Sequence, residues 1–403
     1  MSYLAHWIPT LVAVVILAIA ALVLELQIRA EQRDRPRAAT RPGGDTVALT
    51  LALVACTRGP TDPAAGRPGP PAPGRVQLAN PTATFNQLQA ISAVTNTAIF
   101  ESFSVLAPFF APPGSATARS LALATLPREL AARYAPWNTP SFPLSTSWRG
   151  GQGVRTQALG TTFVWDPATN RYVASSDSGA PANGERFILY ALSQRTGLPS
   201  VPLTAIGYVD LTHASAGATG VRLVGTPADR TTATCANYSV AADAASLAGF
   251  VTDGTTRLDI TVRADSTTSP DTLREQTAIA VTGQDLRVDE SVTVSGAGGD
   301  TVRMTTDLRL AHRGEAVRAA GDVTLDTATH TGSGQMAVSV NDSAFATITL
   351  GGPDLAFTPA PDVTLSQADE TTLRALFSTS FELYGTTRLL LVPAEASTPV
   401  PSP

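Results

Sequence analysis

From about Ser145 onward, apolar and polar residues alternate along the chain with a period of two. Leu258, Ile260 and Val262 are interleaved with Arg257, Asp259, Thr261 and Arg263. The same beat recurs at Leu286/Val288, Val292/Val294, Val302/Met304, Leu308/Leu310, Val323/Leu325 and Met336/Val338/Val340. Strict alternation sets one strand face on a core and the other in water, which is the pattern of antiparallel sheets. Phe163–Trp165 and Arg171–Val173 flank Asp166-Pro-Ala-Thr-Asn170, which predicts a hairpin. Short Thr-, Asp-, Gly- and Ser-rich connections, such as Ser295–Asp300, favour a meander. No motif of 20–50 residues repeats, so a solenoid or propeller is not expected.

Helical patterns bracket the strands. Five of the 13 phenylalanines fall between Phe85 and Phe110, in an apolar segment that ends at Pro112-Pro113. It predicts one or two helices with a broad apolar face. A second helix is expected over Arg119–Tyr134, shortened by Pro127. Near the other end, Ser366 and Asp369 form a capping-box pattern ahead of Leu373, Leu376, Phe377, Phe381 and Tyr384 at helical spacing. Gly385 is placed to end that helix, and Thr387–Val392 reads as a closing strand. The expected fold is α+β, mainly β: a curved, half-barrel-like antiparallel meander sheet packed on a few helices.

The first 80 residues read differently. Trp7–Leu24 carries no charged residue and is just long enough to cross a bilayer as a helix. Five arginines from Arg29 to Arg41 follow, and then a ten-residue apolar run, Thr46–Ala55, which is too short to span but suits a signal-peptide h-region. Two accounts fit. Either residues 1–26 form a membrane helix, or translation starts later, at Leu26 or Val47, and residues 27–55 are an ordinary leader. Residues 56–80, centred on Pro68-Gly-Pro-Pro-Ala-Pro-Gly74, read as a tether. Residues 81–392 are the expected globular domain, and 393–403 a Pro/Ser/Thr-rich tail.

The tetrapeptide Leu53-Val54-Ala55-Cys56 closes the second apolar run. It resembles the lipobox of bacterial lipoproteins. That resemblance implies cleavage before Cys56, acylation of its thiol, and a mature chain tied to the cell envelope on the outer side of the cytoplasmic membrane, in the periplasm or at the outer membrane. Two or more acyl chains would make that attachment stable.

Charge narrows the partners. Beyond Ala55, 23 arginines face 29 acidic residues, a net charge of −6, with lysine absent from the whole chain. Nothing in that balance suits nucleic acid. With Cys56 acylated only Cys235 is left, so an intrachain disulfide is not expected. His213, His312 and His330 stand apart, without a second ligand at metal spacing, and Asp210 and His213 share a strand end without a nucleophile elbow. Acidic residues appear scattered over exposed strand faces, and Arg257, Arg263, Arg287, Arg303 and Arg309 read as solvating charges there. These patterns give no catalytic, metal or cofactor site, and the expected protein is not an enzyme. Two roles remain. In one, Phe100, Phe103, Phe109 and Phe110 line an apolar-ligand pocket between helix and sheet. In the other, the chain engages an envelope protein with no small-molecule ligand. In element order it resembles the half-barrel carriers and receptors that move lipoproteins or lipids across the periplasm, which implies binding rather than catalysis.

Overall fold

The computed structural model describes residues 76–110, 116–137, 159–213, 218–225, 232–241, 246–265, 272–296, 300–351 and 354–395, all within one compact unit, Pro71–Pro403. Cys56 and the two apolar segments ahead of it lie outside these residues. No helix among the described residues is long and apolar enough to cross a membrane.

Among the described residues fifteen strands form one open sheet, ordered β15-β14-β13-β12-β11-β10-β9-β8-β7-β6-β5-β4-β3-β1-β2. Their ranges are β1 Thr161–Asp166, β2 Arg171–Ser175, β3 Gly184–Tyr190, β4 Ala205–His213, β5 Thr219–Gly225, β6 Ala233–Val240, β7 Ser246–Thr252 and β8 Arg257–Asp265. They continue as β9 Thr272–Val281, β10 Leu286–Ser295, β11 Thr301–His312, β12 Glu315–Asp326, β13 Thr331–Val340, β14 Ser343–Leu350 and β15 Leu355–Pro359. From β3 to β15 each strand pairs antiparallel with the next in sequence, so the meander expected from the alternation is the fold. Among the described residues the one parallel pair is β1 with β3, Thr161 opposite Glu185.

Register follows from burial and turn chemistry together. Leu258, Ile260 and Val262 of β8 point into the core, while Arg257 and Asp259 stand in water. A one-residue slip would reverse both faces, so each pairing is tightly specified. The β13–β14 connection is Asn341-Asp342, both with positive φ (49° and 63°), the two-residue turn that matches strand twist. The predicted β1–β2 hairpin pairs Trp165 with Tyr172 and Asp166 with Arg171. The Asp166 carboxylate holds its loop by accepting from the Ala168 N–H at 3.0 Å and the Thr169 hydroxyl at 2.6 Å.

Among the described residues five helices accompany the sheet: α1 Pro81–Thr95, α2 Ala98–Ser104, α3 Ala107–Phe110, α4 Ala116–Tyr134 and α5 Gln367–Glu395. Asn80 caps α1, its side-chain oxygen accepting from the Ala83 N–H at 2.9 Å. The end of the stretch read as tether is docked: Leu78 is buried, and the Ala79 N–H reaches Glu315 at 2.6 Å. The capping box at α5 is formed, with the Ser366 N–H donating to Asp369 at 2.8 Å and the Asp369 N–H to the Ser366 hydroxyl at 3.2 Å.

Three expectations need correction. Pro127 does not shorten α4, which runs through it. Leu126, Leu130, Ala131 and Tyr134 are buried along its length, and that packing outweighs one lost backbone bond. Gly385 does not end α5, and Thr387–Val392 is not a strand. The helix continues to Glu395, three residues into the stretch read as a tail. Every residue from Ala375 to Pro393 is buried, so α5 lies in the concavity of the sheet with apolar contact all around it. The Thr387 hydroxyl bonds back to the Leu383 and Tyr384 carbonyls, each at 3.0 Å, which settles a β-branched residue within the helix.

The phenylalanine-bearing helices seat on glycines. Gly207 and Gly225 face each other across β4 and β5, and a Cβ at Gly225 would lie 2.7 Å from both Cδ1 and Cγ1 of Ile99 in α2. Glycine is required there for close approach. Gly225→Val is therefore expected to lift α2 from the sheet and destabilise the fold by about 1–3 kcal/mol, read as a lower denaturant midpoint.

Candidate functional site

The phenylalanine-rich segment packs inward against the sheet. Phe100, Phe103 and Phe110 are each about 5% exposed, whereas the side chain of Phe109 lies outside the described residues. Phe110 meets Phe187 of β3 edge-on at 5.5 Å. Phe187 in turn stacks on Phe163 at 4.8 Å and meets Tyr172 edge-on at 5.7 Å. Phe110, Phe187, Phe163 and Tyr172 thus pack ring against ring, in the stacked and T-shaped geometries aromatic pairs prefer. The Tyr190 N–H donates to the Ser102 hydroxyl at 3.1 Å, tying α2 to β3 beneath them.

The lone histidines are each engaged in a local contact. His213 meets Glu185 at 3.1 Å, His312 meets Gln87 at 2.7 Å, and His330 meets Glu129 at 2.6 Å. Asp210 does not face His213; it takes two hydrogen bonds from Arg186, at 2.7 and 2.9 Å. Cys235 is buried on β6, its thiol 3.7 Å from the Ala233 carbonyl. No group of three or more metal-ligating side chains occurs among the described residues. The arginines read as solvating charges do stand on the outer face: Arg257–Asp259 and Arg287–Asp289 close at 2.8 Å, Arg303–Asp322 at 3.1 Å and Arg309–Asp307 at 3.2 Å. Exposed pairs of this kind add little stability. Thr261, Arg263, Gln276, Asp289, Ser291 and Arg309 border a depression of about 470 Å³ on that face.

What the sequence reading missed lies inside. Acidic residues were placed on exposed faces, but Glu275 and Glu290 point inward from β9 and β10 and are 2% and 4% exposed. Two more, Glu101 on α2 and Glu382 on α5, are 4% and 7% exposed. Each pair has one guanidinium. Arg388 of α5 approaches Glu275 at 3.7 Å, and Arg128 of α4 approaches Glu101 at 3.8 Å. A signal was present in the alternation itself: Glu290 occupies an apolar slot in Val288-x-Glu290-x-Val292, as Glu275 does ahead of Thr277 and Ile279.

Hydroxyls line both groups. The Ser380 hydroxyl of α5 donates to Glu290 at 2.7 Å and also meets the Thr306 hydroxyl of β11 at 2.7 Å. The Thr387 hydroxyl donates to Glu275. Around Glu382, Ser92, Thr95 and Asn96 of α1 donate at 2.7–3.0 Å. Burial pushes the Glu290 carboxyl well above its ordinary range, the neighbouring Glu275 adds to that, and the Ser380 bond opposes it. Burial likewise raises Glu382 against its hydrogen bonds and Arg128. For Glu101, burial outweighs the pull of Arg128, with Glu382 adding to the rise. Chemically, such a set can hold protons and polar contacts between elements.

No protein-family model matches the chain, and comparison with curated proteins and with solved structures gives no match.

Proposed function

We propose that this chain is a lipid-anchored, non-enzymatic protein of the cell envelope, attached through Cys56 and acting outside the cytoplasm on an envelope protein partner. The observation that favours a partner over an enclosed apolar ligand is the occupancy of the concavity. Helix α5 lies there with Phe377, Phe381 and Tyr384 at most 1% exposed. Its buried Leu, Phe, Tyr and Val side chains are worth about 1.5–3 kcal/mol each, so moving it aside for a ligand would cost tens of kcal/mol. Surfaces left for recognition are the outer face and the two ends of an open sheet, β15 and β2. The absence of catalysis in this reading is supported by histidines committed to local contacts.

The test pairs metabolic labelling with native mass spectrometry on the full chain. Labelled fatty acid should enter the wild type and not Cys56→Ser. The purified lipoprotein should carry no lipid beyond its own acyl groups and should retain a protein partner at fixed stoichiometry. An apolar molecule co-purifying with both wild type and Cys56→Ser would overturn the partner reading in favour of a ligand. Label retained by Cys56→Ser would overturn the anchor.

A further inference from the structure

We propose that α5 is fastened by two proton-dependent clasps, each made of two buried carboxyl groups beside one guanidinium, and that alkaline conditions loosen the helix from its surroundings. The first clasp joins α5 to the sheet through Glu290, Glu275 and Arg388, with Thr306 and Ser380 completing it. The second joins α5 to the helices through Glu382, Glu101 and Arg128, with Ser92, Thr95 and Asn96 around it.

Charge balance carries the argument. A buried ion is tolerated when it is paired, and one guanidinium balances one carboxylate. In the first clasp Glu290 reaches neutrality by keeping its proton; in the second, burial raises Glu382 and Glu101 against Arg128 and the hydrogen bonds. At Glu290 the geometry agrees: Oε1 accepts from Ser380, while Oε2 is buried with no hydrogen-bond partner. A carboxylate left with an unsatisfied buried oxygen is far more costly than the neutral acid. The groups facing Glu290 are Glu275 from β9, Thr306 from β11 and Ser380 from α5, and Arg388 stands 3.7 Å from Glu275. Those facing Glu382 are Arg128 from α4, Glu101 from α2 and the three polar side chains of α1.

The sign follows. A carboxyl held above its unfolded value keeps its proton in the fold while the unfolded chain has lost its own. Stability from these groups is therefore complete below about pH 4.5 and declines as pH rises through the folded values. Each retained proton weakens the folding equilibrium about tenfold per pH unit in that window, and two together about a hundredfold. The exposed aspartates held below their ordinary range act in the opposite direction and only in acid, where Asp259, Asp307 and Asp322 lose their partners.

Proton release on unfolding tests this. Denatured by urea at pH 6 with a pH indicator, the full-length chain should release about one more proton than E290Q, and E290Q should in turn release more than E290Q/E382Q. Equal release from wild type and double variant would overturn the proposal. Should the double variant not fold, infrared difference spectra of the wild type between pH 5 and pH 9 decide. Protonated-carboxyl absorption present at pH 5 and lost together with amide protection in α5 supports the clasps. Its absence at pH 5 overturns them.

Discussion

Replacing Phe377 by alanine is expected to lower stability by about 3–5 kcal/mol, among the largest losses a single truncation can produce in this chain. Phe377 is 1% exposed and lies where α4 and α5 meet, edge-on to Tyr134 at 5.7 Å and tilted against Phe381 at 4.8 Å. Truncation removes the transfer energy of the ring, leaves a cavity between two helices that cannot both close in, and forfeits about 0.5–1.5 kcal/mol for each ring pair. Against a total stability of about 5–15 kcal/mol, the variant should unfold at a much lower denaturant midpoint with an unchanged slope. Phe377→Leu should recover most of the loss. A truncation cost below about 1 kcal/mol would mean that α4 and α5 do not pack as described.

The second large effect is expected at Arg388→Met. The guanidinium is 3% exposed and lies 3.7 Å from Glu275, the buried neighbour of Glu290. Methionine keeps much of the volume and removes the charge, leaving the buried Glu275 carboxylate without this cation. Breaking a buried pair by deleting one partner costs about 3–5 kcal/mol. The loss should be greatest in alkaline solution and shrink toward pH 4.5, where protonation neutralises the carboxyls. Thermal melts of wild type and variant at three or four pH values measure it. A pH-independent difference would assign the effect to packing alone.

Much of this architecture was readable in advance because a period of two leaves little choice. Once Leu258, Ile260 and Val262 face inward, Arg257 and Asp259 must face water, and the short connections leave each strand to pair with the next. The capping box at Ser366 was equally legible, since it depends on residues three apart. The end of α5 was not. A helix surrounded by apolar contacts shows no polar stripe, and Leu389–Val392 is indistinguishable from a buried strand by pattern alone. Gly385 and Pro127 marked stops that local preference supports and long-range packing overrules. The buried acids escaped for a related reason. An acidic residue counts as an exposed one by default, and only its phase within the alternation reveals Glu290 facing inward.

The position of α5 after all fifteen strands sets an order of events as the protein is made. Neighbouring strands can pair as soon as each emerges, because almost every ladder joins segments adjacent in sequence. Helices made before the strands cover part of their shared inner surface, and the rest stays bare until α5 arrives. A nascent chain would spend most of its synthesis with a broad greasy sheet uncovered, and folding would finish in one late docking step that a holding chaperone could usefully await.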